Sequence, residues 1–213
     1  MRASRAICSN YLGNKHISVG SLFPKCFFLS CVCAGLFCIC ANAGKNDRPA
    51  SPASDDDKTE LRNNAASLLV DLLDQEKDLS KILVIKRPSA EIGRLTKAIS
   101  KTAGDGSDRL KALAKNYKTL NLHAVQLPPG ETATRAAVSK TEEHELFLTF
   151  GTTFELNLLL TQTEALNYGS HLAKIAADNS ASPEQERDFH SLDVSLGNLY
   201  KRVVAQIRAL PRK

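Results

Sequence analysis

The sequence predicts an all-α protein, an antiparallel up-and-down four-helix bundle. Three observations lead there. Apolar residues recur at three- and four-residue steps in four long stretches, no stretch alternates as a strand would, and proline or capping residues mark most boundaries. Four amphipathic segments joined mainly by short links bury their stripes most simply as such a bundle.

A leader precedes the helices. Residues 1–25 carry Arg2, Arg5, Lys15 and Lys25 and no acid, and a mostly apolar run follows from Cys26 to Ala41. The run ends in Ala41-Asn42-Ala43, after which the chain turns polar. A positive head, a short apolar middle and an A-x-A end describe a secretory signal peptide, here residues 1–43, cleaved after Ala43. The run falls short of the roughly 18 residues of a membrane span, so no span is expected after cleavage, although a retained leader acting as an anchor is the competing reading. Cys31, Cys33, Cys38 and Cys40 match no standard metal-ligand spacing, and Phe28-Leu29-Ser30-Cys31 lies too early in the run for a lipidation site. Cysteine in such a segment behaves as a small hydrophobe.

Cleavage changes the composition. Of 28 basic residues the leader holds four, leaving 24 against 23 acids, a net charge of +1, and no cysteine remains. Disulfides, thiolate catalysis and cysteine-bound metals are thereby excluded from the mature chain, and no excess charge draws it to nucleic acid. An exported chain without cysteine fits a bacterial periplasm or cell envelope better than a disulfide-rich extracellular module.

Residues 44–56, rich in Pro, Ala, Ser and Asp, read as a flexible tether, and residues 57–213 as one bundle domain. The first helix is expected over about 57–87: Leu61, Ala65, Leu68, Leu69, Leu72, Leu73, Leu79, Ile82 and Leu83 form its stripe, acids stand at its start, and Pro88 stops it. The second begins near Ser89, with Ile92, Leu95, Ile99, Gly106, Leu110, Leu113 and Tyr117 in phase. Two interior glycines, Gly104 and Gly106, each cost about 1 kcal/mol relative to alanine. The helix therefore either continues with a kink or breaks; the preserved phase favours two collinear segments. No calcium-loop pattern surrounds the glycines.

A proline-rich link, 121–131, leads to a third helix with a short preface at 132–140 and a main body over about 141–179. Its stripe contains Phe147, Phe150, Phe154, Leu158, Ala165, Tyr168 and Leu172, interrupted by the polar pair Thr161 and Gln162. The fourth starts at Ser182-Pro183-Glu184-Gln185, which reads as a capping box with proline at the first helical position. Phe189, Leu192, Leu196, Leu199, Val203 and Ile207 follow in step until Pro211.

No catalytic residue and no cofactor is assigned. A di-metal bundle site wants Glu-x-x-His on two helices, and that pattern is absent. His144-Glu145 begins a zinc-protease motif that Leu148 fails to complete, and no nucleophile elbow, P-loop or dinucleotide fingerprint occurs. No metal site is expected; the only candidate ligands are Glu76, beside the first stripe, Glu155, Glu164 and His171.

The stretch "GTTFELNLLLTQTEALNYGSHLAKIA", with "LPPGE" before it and "SPEQERDFHSLDVSLGNLYKRV" after it, resembles the secreted bacterial ferritin-like family of unknown function often labelled predicted outer membrane proteins. Gly151-Thr152-Thr153-Phe154-Glu155 matches its G-x-x-F-D signature with Glu for Asp, and Leu127-Pro128 matches its loop. The resemblance implies a ferritin-like four-helix fold. Where the family carries histidines this chain has Leu166 and Tyr200, so the metal role does not carry over. The expected function is that of an exported, non-enzymatic bundle acting through an unknown protein partner or the envelope. The alternative is a divergent metal-binding bundle using carboxylates.

Overall fold

Helix α1, Asp55–Glu76, begins where a cap stands rather than where the apolar stripe begins. Ser54 Oγ accepts the Asp57 N–H and Asp57 Oδ2 accepts the Ser54 N–H, both at 3.1 Å, which closes a capping box. The computed structural model describes residues 54–125 and 127–211; the predicted signal peptide and most of the tether lie outside them. The tether's last residues, Asp55 and Asp56, belong to α1.

Among the described residues the elements that follow are a 3-10 helix, Leu79–Val84, then α2, Ala90–Asn116, α3, Pro129–Leu148, α4, Gly151–Asp178, and α5, Pro183–Ala209, with no strand. The first predicted helix is thus cut short at Glu76. Ser100 of α2 donates its hydroxyl to the Lys77 carbonyl, a group that the next helical turn would otherwise use. The 3-10 turn that replaces it still buries Leu79 and Ile82.

Helix α2 runs unbroken through Gly104 and Gly106, against the expectation of two segments. Its neighbours give the reason. A Cβ on Gly106 would stand 2.7 Å from Leu192 Cδ2 and 3.3 Å from Leu73 Cδ1. Gly169 of α4 plays the same part between Leu72 and Leu196. Close approach of the helices offsets the intrinsic cost of glycine. Gly106→Val is expected to destabilise by about 1–3 kcal/mol through overpacking. Gly93→Ala, with nothing within 4 Å of its added methyl, should stabilise by up to about 1 kcal/mol. Thermal unfolding followed by circular dichroism checks the opposite signs.

The third predicted helix is two helices. At Gly151, φ is +57°, a left-handed conformation that suits glycine and turns the chain back on itself between α3 and α4. Helix α5 starts as expected: Ser182 Oγ accepts the Gln185 N–H at 3.3 Å, and Gln185 Oε1 accepts the Ala181 N–H, one residue earlier than a standard box.

Helices α1, α2, α4 and α5 each pack against two of the others around one core, which contains Leu69, Leu73, Ile92, Leu95, Ile99, Leu110, Phe154, Leu158, Phe189, Leu192, Leu196 and Val203. Long-range bonds give the directions. Arg62 reaches the Thr119 carbonyl and Asp74 meets Ser107 and Lys111, so α1 and α2 are antiparallel. Tyr117 bonds Glu184 and Arg109 lies near Asp188, so α2 and α5 are antiparallel. The Ser89 N–H at the start of α2 bonds Glu155 at the start of α4, so these two run the same way. The order is therefore up, down, down, up, which corrects the expected up-and-down arrangement. Something must carry the chain from the end of α2 back to the start of α4. Helix α3 does so: its 20 residues span about 30 Å. It lies outside the core and buries only Ser139.

Candidate functional site

Two features meet on the α3–α4 hairpin. The first is an apolar end built on a buried lysine. Lys86, 5% exposed, donates from Nζ to the carbonyls of Phe147 at 2.6 Å and Thr149 at 2.8 Å. These carbonyls are freed where α3 ends. The same ammonium stands 3.6 Å from the Phe150 ring centroid and 5.6 Å from those of Phe147 and Phe154. Two hydrogen bonds and three aromatic faces hold the charge. Around it Ile85, Phe147 and Leu148 are exposed, as are Val84 at 85% and Phe150 at 74%. The sequence stripe placed Phe147 and Phe150 in the core with Phe154; the turn at Gly151 leaves only Phe154 there.

The second feature is a carboxyl cleft. Glu142 and Glu145 of α3 and Glu164 of α4 line a cavity of about 160 Å³, with Asn157 and Thr161 beside them and Leu146 and Leu160 as an apolar wall. Beneath it Glu76, at the end of α1, is 4% exposed and Gln162 is 1% exposed. Burial pushes the Glu76 carboxyl up to about 7. The Gln162 amide beside it favours the charged form, yet neither of its polar atoms reaches hydrogen-bond geometry with a partner, so it acts as a nearby dipole rather than a formed bond. Glu142 also rises to about 7, first through burial and then through the negative charges of Glu164, Glu145 and Glu76. Oε2 of Glu76, Oε2 of Glu142 and both amide atoms of Gln162 are buried without a hydrogen-bond partner. Native interiors rarely leave such groups unmet.

Of the four candidate ligands named from the sequence, only Glu164 lines this cleft, beside Glu142 and Glu145; Glu76 is buried nearby, close enough for its charge to act on Glu142. Glu155 lies apart, accepting the Ser89 N–H, and His171 is exposed on α4. Among the described residues no three or more His, Cys, Asp or Glu side chains are grouped as a metal ion would need. Sequence reasoning missed Glu142, Glu145 and the role of Lys86. Lys86 at the end of the apolar run Ile82–Ile85 was the available hint; nothing local marks Glu142, whose neighbours come from distant elements.

Among the described residues no helix is long and apolar enough to cross a membrane. No protein-family model, no curated protein and no solved structure matches this chain.

Proposed function

We propose that this protein is an exported, non-enzymatic helical bundle of the bacterial periplasm or cell envelope that works by binding another protein through its apolar end. The observation that carries this reading is the exposed set Val84, Ile85, Phe147, Leu148 and Phe150 around Lys86. Contiguous apolar surface of this kind is a liability unless a partner covers it. Lys86 fixes the backbone beneath it, so the surface meets a partner without a large ordering cost. For the fold, the proposal is a ferritin-like bundle: two antiparallel pairs joined by one long crossover is the connectivity of that class, and α3 supplies the crossover.

A photo-crosslinking side chain placed at Phe150 or Val84, in cells that make the protein, is expected to trap one discrete protein. The same group at Glu186, exposed at the opposite end, should not. Equal trapping at all three positions, or none, would overturn the reading. The purified exported protein should begin at Gly44. Stoichiometric iron, manganese or zinc in it would instead favour the carboxylate metal-binding alternative, for which the fold offers Glu76 and Glu164 but commits Glu155 elsewhere.

A further inference from the structure

We propose that the apolar end is covered by the same end of a second copy of this chain, the two related by a two-fold axis that lays the acidic flank of each on the basic flank of the other. This rests on the protein-binding reading and names the partner.

The first ground is the distribution of charge around the tip. Helix α3 packs against α4, and its Glu142 is close enough to Glu76 of α1 to feel that charge, so α3 runs along the α1–α4 side of the bundle. Its last two turns hold Glu142, Glu143 and Glu145 and no Lys or Arg. Helices α2 and α5 pack against each other on the opposite side. From Val194 onward α5 contains Lys201, Arg202 and Arg208 and no acid. Arg87, just ahead of the α2 cap, adds to that flank. Both Arg87 and Arg208 are exposed, and neither makes an ion pair among the described residues.

The second ground is that the two flanks stand at matching depth. Glu145 lies four residues before Thr149, where α3 ends. The Ser170 hydroxyl donates to Asp193 Oδ1 between antiparallel α4 and α5, and fifteen residues from that contact, in each helix, stand Glu155 and Arg208. Arg208 is therefore level with the fourth residue after Gly151, about 6 Å below the tip, and Glu145 is about as far below it. Glu155, at the same level, is engaged by the Ser89 N–H.

The symmetry then selects the occupant. Turning a second bundle end over end, about an axis that crosses the tip between the flanks, exchanges its two sides. Glu145 of each copy then faces Arg208 of the other, while Val84 and Phe150 meet apolar counterparts. Such a contact uses the same patch twice and closes at two copies, whereas head-to-tail stacking would leave one apolar end open. Val84, Ile85, Phe147, Leu148 and Phe150, each about half exposed or more, present on the order of 500 Å², against about 800 Å² per partner in a specific interface. The charged flanks supply the remainder. An anionic membrane would match the basic flank alone and be repelled by the α3 carboxylates.

Sedimentation equilibrium of the purified exported protein tests this. The mass is expected to rise with concentration from one chain to two and no further. Val84→Asp, at a side chain 85% exposed, should abolish the dimer while circular dichroism shows unchanged helicity. Arg208→Glu should weaken dimerisation by about tenfold or more, because it sets like charges together twice across the axis. Glu145→Arg added to it should restore the affinity, and Arg187→Glu, exposed at the opposite end, should leave it unchanged. A protein that stays monomeric at every concentration, or a dimer indifferent to Val84→Asp and Arg208→Glu, would overturn the proposal. A monomeric protein that crosslinks through Phe150 to a different chain sinks the second-copy assignment and leaves the protein-binding reading standing. A monomeric protein with no crosslink at all sinks both.

Discussion

Glu76→Gln is expected to flatten a fall in stability that the unaltered protein shows as pH rises from about 4.5 to about 7. The sign follows from proton uptake. Unfolded, Glu76 loses its proton near its ordinary value of 4.5; folded, it keeps it until about 7. Between these limits the native state holds more protons, so each rise in pH favours unfolding. Below 4.5 both states are protonated and the penalty vanishes. A gap of this size corresponds to a cost on the order of 3 kcal/mol above pH 7, because one unit is about 1.4 kcal/mol. Glu142 adds a smaller contribution of the same sign, reduced by its partial contact with water. Asp74 works in the opposite sense at lower pH. Burial raises its pKa, but hydrogen bonds from Lys111, Lys77 and Ser107 outweigh that and hold it at about 2. Its contribution is present above about 3.8 and is lost as pH falls toward 2. Stability should therefore peak in mildly acidic solution. Urea unfolding from pH 3 to pH 8 checks the curve; parallel profiles for the unaltered protein and Glu76→Gln would refute the assignment.

Phe154→Ala carries the largest expected packing loss. Phe154 is 2% exposed, in the first turns of α4, and its ring forms the inner wall of the Lys86 cage. Truncation of a buried phenylalanine costs about 3–5 kcal/mol, from lost burial and the cavity left behind. Here the loss also loosens the lysine that ties the 3-10 helix to the α3–α4 turn. Phe150→Ala removes a ring closer to the ammonium, yet most of that ring faces solvent, so about 1 kcal/mol or less is expected from the lost cation–π contact. Guanidinium unfolding of both variants decides it: equal losses would show that Phe154 is not the anchor.

Core positions were legible where a stripe stays in phase: Leu69, Leu73, Ile92, Leu95, Ile99, Leu110, Phe189, Leu192 and Leu196 are all buried as their spacing requires. Leu61 is a miss, exposed while its neighbour Arg62 is buried and bonded to the Thr119 carbonyl. The reason is tertiary: the Thr119 carbonyl, in the turn that follows α2, takes its donor from there. The candidate site was half legible. Glu76 stands out as an acid against an apolar stripe, and Gln162 as an amide within one. Glu142, on a helix whose pattern gives no clear buried face, does not.

The amino-acid sequence alone determined that this chain is helical, which faces are apolar and where α5 begins, because periodicity and capping act over a few residues. The tertiary structure decided that α2 continues through its glycines, that α1 ends at Glu76, that α2 and α4 share a direction, and that carboxyls from α3 and α4 share one cleft. Each of these depends on which side chain of another helix arrives beside a given residue, and local spacing carries no record of that.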